Sequence, residues 1–164
     1  TAGGQGWNET TGYLGAIRLS GNTTLSGPIT LTADTRITAY TSAGTLSGKI
    51  TGGFGVDYGL RQIGGNSSGT LFVSNTGNDY TGDTSIIRAT VEAGTIANAG
   101  VASSLGAGSA LNLEVGTLRL TGGGAMTTDR AININQGGQG GANIALTTPG
   151  SSFTITGPIT NGNA

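Results

Sequence analysis

The chain has 164 residues, 33 of them glycine, with no cysteine or histidine and a net charge of −1. Charged residues are 9% of the chain, against about 25% in ordinary soluble domains. This profile removes the Cys and His ligands of zinc, haem and iron–sulfur sites, and the cations Arg18, Arg36, Lys49, Arg61, Arg88, Arg119 and Arg130 stand singly, with no basic patch for nucleic acid.

No apolar run approaches the ~20 residues of a membrane helix. Plentiful Val, Ile, Leu and Thr argue against disorder, and the glycines lack the three-residue period of collagen. Low charge with high Thr, Asn and Gly favours the cell exterior.

Taken in order, the chain shows almost no helical periodicity. Val101 to Leu111 comes nearest, and Gly106 and Gly108 interrupt it; each glycine costs about 1 kcal/mol in a helix. Period-2 alternation dominates instead. Ile17 and Leu19 flank Arg18, Ile29 and Leu31 flank Thr30, and Leu71 and Val73 flank Phe72. Leu111, Leu113 and Val115 alternate with Asn112 and Glu114; Leu118/Leu120, Ile132/Ile134, Ile144/Leu146 and Phe153/Ile155 follow. Each run reads as a strand of about 3–6 residues with one buried face, bounded by Gly or Asn turns.

A longer period is superposed. Gly-Thr dipeptides at Gly44, Gly69, Gly94 and Gly116 each precede Leu or Ile, at spacings of 25, 25 and 22. Gly15-Ala16-Ile17 and Gly141-Ala142-Asn143-Ile144 are looser copies, and Gly27-Pro28-Ile29-Thr30 echoes Gly157-Pro158-Ile159-Thr160. Short strands repeating every 20–30 residues predict a solenoid. The expected fold is all-β: a single-stranded parallel β-helix of about six to seven rungs of 22–29 residues, forming one domain over 1–164. Residues 1–14 form a glycine-rich segment suited to covering one end, and 157–164 a tail or inter-subunit segment. A β-sandwich also has short strands, but lacks the superposed echo.

One stretch carries a family resemblance. Asn78-Asp79-Tyr80-Thr81-Gly82-Asp83-Thr84-Ser85-Ile86, then Ala93-Gly94-Thr95-Ile96 and Ser104-Leu105-Gly106, resembles the passenger-associated or autotransporter-associated β-strand repeat. Thr45 to Gly48 through Gly52 to Gly55 is similar to the segment that precedes that repeat. The resemblance implies a secreted bacterial surface protein with a right-handed β-helix. It implies no activity. The membrane barrel that ends an autotransporter is missing, so the chain reads as a piece of a longer protein or as a related protein that does without the barrel.

Candidate sites are few. Gly52-Gly53-Phe54-Gly55-Val56-Asp57 matches the start of a calcium-binding nonapeptide, but Gly59 stands where an inward aliphatic is needed and no second copy follows. Asp79 and Asp83 have the residue type of calcium ligands or paired catalytic carboxylates, but an Asx turn begun by Asp79 and an exposed strand-entry Asp83 explain them better. Asp57, Asp79 and Asp83 are therefore weak calcium candidates, and no cofactor or catalytic residue is expected. Trp7, Tyr13, Tyr40, Tyr58 and Tyr80 are too unevenly spaced for one sugar-stacking face. The Thr-x-Thr pairs Thr30/Thr32 and Thr154/Thr156 are too isolated for an ice-binding lattice.

A solenoid has two open ends unless something caps them. No cap motif is visible, so Trp7, Phe153, Ile155 and Ile159 are candidates for an assembly interface. Complementary open ends generate a filament. The first functional reading is thus a structural extracellular subunit stacking head to tail with copies of itself, at a bacterial surface or in a matrix. The second is a stalk or adhesin segment of a larger passenger that meets glycan or cell surfaces. A polysaccharide-active enzyme comes last, because the clustered acids and bases it needs are missing.

Overall fold

The computed structural model describes residues 1–9, 12–40, 42–59, 69–135 and 141–161. All its regular structure is strand, and nearly all pairing is parallel. Strands of alternating Leu, Ile and Val bury one edge of side chains and turn the other outward. Apart from the antiparallel pair Asn8–Glu9 with Gly12–Tyr13, each named strand pairs with a counterpart about one turn away.

The result is a coil with three faces. The first face holds Ile17–Ser20, the second half of Ile29–Tyr40, Val56–Gly59, Thr84–Ile87, Ala110–Glu114, Ala131–Asn135 and Ile159–Asn161. The second holds Thr23–Leu25, Gly44–Leu46, Thr70–Val73, Thr90–Ala93, Thr117–Leu120 and Asn143–Leu146. The third is more irregular. It starts with Ala2–Gly4, the first half of Ile29–Tyr40 and Ile50–Gly52. The segments 78–81 and 103–107 continue it through bonds such as Thr81 N to Gly52 O and Ala107 N to Tyr80 O. Ala125–Thr128 and Ser152–Ile155 complete it.

The seven strands of the first face define six turns. Their shared column runs Ile17, Ile37, Tyr58, Ile86, Leu113, Ile134, Asn161, in steps of 20–28 residues. At ~4.8 Å per turn the stack is about 30 Å long. Its core is the set of inward columns, with Ile37, Tyr58, Ile86 and Leu113 buried between faces that contribute Leu46, Val73, Leu118 and Leu120. Each such side chain contributes about 1.5–3 kcal/mol.

The solenoid is as expected, with two differences in detail. Ile29–Tyr40 is a single 12-residue strand that crosses a corner between two faces; no glycine breaks it, and Asp34 Oδ1 accepts Gly55 N of the next turn at that corner. The Gly-Thr echo is also not the pairing register. Gly44 lies opposite Leu71, not Gly69, and Thr70 pairs with Thr90 while Gly94 follows that strand. Side-chain parity and backbone bonds fix the ladder, and loops of unequal length make its steps unequal. The two Gly-Pro-Ile-Thr segments likewise enter different faces, the third and the first.

Candidate functional site

The motif that carried the family resemblance is the structural centre of the rod. Asn78 is fully buried, and its Oδ1 accepts Ile50 N of the turn below at 2.8 Å. Its Nδ2 donates to Ser104 O of the turn above at 2.9 Å and to Asn75 O. Tyr80 is buried, with its Oη 2.8 Å from Thr84 Oγ1 and the Thr84 hydroxyl donating to Leu105 O. Gly106 has φ +69, and a Cβ there would lie 2.5 Å from the Tyr80 ring. Tyr58 Oη has no hydrogen-bond partner. Burial pushes both phenols above the ordinary tyrosine range, and for Tyr58 the neighbouring Tyr80 adds to the rise.

Two buried cations escaped sequence reasoning. Arg130 is 1% exposed, and donates from Nη1 to Leu105 O at 2.8 Å and from Nη2 to Gly106 O at 2.6 Å. It thereby clasps the 97–107 excursion, a departure from the plain coil between the strands Thr90–Ala93 and Ala110–Glu114. Desolvation lowers its pKa, partly opposed by Tyr80, Asp129 and Asp83. Arg36 faces outward by parity yet is also 1% exposed. The start of the chain covers this part of the first face: Thr38 Oγ1 donates to Leu14 O, and Gln5 Nε2 donates to Asp57 Oδ2. Arg36 Nη2 meets Asp57 Oδ2 at 3.2 Å. Nothing local in the sequence marks either arginine as buried, because the covering groups come from other turns.

The three weak calcium candidates divide. Asp57 is engaged by Arg36 and Gln5. Asp83 Oδ1 accepts Ala110 N and Ser109 Oγ. Both line one small cavity of about 240 Å³ with Asp34 and Ser85. Asp79 lies elsewhere, paired with Lys49 Nζ at 2.6 Å. Among the described residues, no three acidic groups converge in a way that could hold a metal ion.

The aromatic residues divide too. Tyr58 and Tyr80 are core, so neither belongs to a sugar-stacking surface. Trp7 is 75% exposed, and Tyr40 lies beneath the Arg18 guanidinium, 3.8 Å from its ring centroid. Thr30 pairs with Thr51 on the third face, and Thr154 with Thr127 several turns away.

Outside the first face a polar ladder climbs in register: Arg36, Asp57, Ser85, Asn112, Asn133, Thr160. Asn133 Nδ2 donates to Asn112 Oδ1 at 2.8 Å, and Thr160 Oγ1 to Asn133 Oδ1 at 2.6 Å. On the second face Arg119 and Glu92 pair across turns at 3.1 Å. The sides of the rod are therefore largely self-satisfied.

The ends differ from the sides. At the last turn Phe153 stacks on Met126, Ile155 opposite Thr128 and Ile159 on Ile132. Ile159 is 60% and Leu146 40% exposed, while Phe153 and Ile155 are half-buried. At the first turn Ala2, Ile17 and Leu25 border a cavity of about 390 Å³. Phe153, Ile155 and Ile159 thus share one end of the core; Trp7 belongs to the segment at the beginning of the chain.

These features define a parallel β-solenoid with a buried aliphatic core. Over 104 residues the chain is 38% identical to the adhesin BmaC autotransporter of Brucella suis biovar 1 (strain 1330). The matched stretch is 60% of this chain, and the chain spans about 3% of that curated relative's length. No family model matches the chain, and no solved structure matches it.

Proposed function

We propose that the chain is a stalk segment of a long, secreted, adhesin-like surface protein. The observation that carries this reading is the rod itself: six turns with largely self-satisfied sides, apolar side chains exposed at the last turn, Leu146 and Ile159, and half-buried ones bordering a cavity at the first. Further turns of the same kind are the natural cover for such ends, since they supply both backbone partners and apolar side chains. The similarity to an autotransporter adhesin supports the same placement, outside a bacterial cell. Antibody raised against the chain should label intact cells of the source bacterium. Labelling that requires permeabilised cells would refute the reading.

The open ends also favour a second reading, in which copies of the chain cover one another head to tail and form a filament. Low charge supports it, because little repulsion opposes stacking. Electron microscopy at micromolar concentration and neutral pH tests it: rods much longer than ~30 Å are expected, and dispersed monomers would remove it.

A further inference from the structure

The third face is interrupted between the 94–102 segment and the Ala125–Thr128 strand, and a groove of about 680 Å³ occupies the gap. Ser152 N donates to Gly124 O and Thr156 N to Thr128 O. By parallel-ladder parity, Met126 and Thr128 then face the next strand, while Ala125 and Thr127 turn their N–H and C=O groups toward the groove. Among the described residues no main-chain partner meets either residue on that side. None of the residues lining the groove is charged. Ile96 and Met126 are its buried apolar lining, and the exposed Thr76 also lines it.

We propose that this groove binds the terminal N-acetylhexosamine of a neutral glycan. An acetamide carries N–H and C=O on opposite edges. One edge can meet the unpaired main-chain groups of Ala125 and Thr127 while the other faces the Thr76 hydroxyl, with the methyl against Ile96 and Met126. An extended peptide has the same amide chemistry but cannot run through. Thr121 N to Ala93 O closes one end of the groove. Thr128 Oγ1 to Ala97 O and Asp129 N to Asn98 Oδ1 close the other. A ligand entering end-on fits this outline better than a strand laid along it. The walls are preformed, because Arg130, the Thr95–Ser104 pair and Ala99 N to Asp129 Oδ1 hold the lower lip. The proposal rests on the adhesive reading above and gives it a contact point.

The test uses the 164-residue chain, N,N′-diacetylchitobiose and, as a matched probe without acetamides, cellobiose, observed by NMR titration. Chitobiose should shift amide signals around 94–98 and 122–128, and cellobiose should bind about tenfold more weakly. Gly123→Trp should abolish the shifts: Gly123 lines the groove, and a Cβ there meets only Thr148 Cγ2, at 3.9 Å, so an indole can be added at the groove's edge without a backbone clash. An unchanged melting temperature checks that. Equal binding of the two sugars, no binding of either, or binding that survives Gly123→Trp overturns the proposal. So does preferential binding of a capped four-residue β-strand peptide. Beads coated with wild type or Gly123→Trp separate the two claims on a cell-adhesion assay. Equal adhesion by both overturns the groove and leaves the adhesive reading standing. Groove-dependent chitobiose binding without adhesion does the reverse.

Discussion

Arg130 should be costly to replace for a charged residue. Arg130→Met keeps an unbranched stem of similar reach and deletes the guanidinium. Two short charged hydrogen bonds disappear, to Leu105 O and Gly106 O, each worth about 1.5–3 kcal/mol when made. Both carbonyls sit in a buried stretch, but each keeps a second donor, the Thr84 hydroxyl for Leu105 O and the Ser103 hydroxyl for Gly106 O, so neither is left unsatisfied. Against this, methionine avoids desolvating a cation, which costs several kcal/mol. The balance is a loss of about 2 kcal/mol, or roughly 6 °C in melting temperature for a chain of this size. Arg130→Lys should recover only part, since an ammonium cannot fork to both carbonyls. The loss should also be local. Gly106 N, which donates to Ser103 O, and Ala107 N, which donates to Tyr80 O, should exchange with solvent faster, while Leu46 and Leu71 amides change little. Denaturant titration and amide hydrogen exchange read both quantities. A loss under ~1 kcal/mol with unchanged exchange at 103–107 would refute the clasp and mean that the excursion holds itself.

Three further outcomes follow from particular contacts. Tyr58→Phe removes a buried hydroxyl without a partner, so it should be neutral or stabilise by up to about 1 kcal/mol. The same phenol has a folded pKa above its unfolded value; its neutral form is favoured by folding, so its contribution is constant below about pH 10 and is lost as pH rises beyond that. Melting curves between about pH 8 and 11.5 should show a flatter alkaline decline in the variant, and identical slopes would count against it. Gly82→Ala places a Cβ 2.2 Å from Gly55 N, with backbone rather than a flexible side chain in the way; it should cost about 1–3 kcal/mol or more by denaturant titration, and a variant as stable as wild type would show that this corner can shift. Ile155→Asp and Ile159→Asp should prevent any end-to-end association while leaving the β-signal in circular dichroism nearly intact, since both side chains lie at the uncovered last turn; filaments unchanged in both variants would place the contact elsewhere.

Much of the fold was legible because parity is local. Leu111 and Leu113 against Asn112 and Glu114 already separate inside from outside, and the structure buries the first pair and leaves the second half-buried. The glycine echo gave the right architecture but the wrong partners, since Gly44 meets Leu71. A few residues of extra loop in one turn shift every later echo without disturbing the ladder. The acidic candidates were legible only as residue types. Whether Asp57 and Asp83 share a cavity depends on two turns meeting at one corner, and no spacing within either turn encodes that.

By itself, the sequence determined that this chain is a coil of short strands with an aliphatic interior, few charges and no Cys or His chemistry, because composition and alternation constrain burial directly. Tertiary structure alone decided the register, with turns of 20–28 residues, and everything that depends on it. That includes the Asn112–Asn133–Thr160 ladder, the burial of Arg36 and Arg130, and the groove beneath Ala125–Thr128. Each arises from groups more than twenty residues apart that meet only after the chain has closed a full turn, so no local pattern in the sequence can specify them.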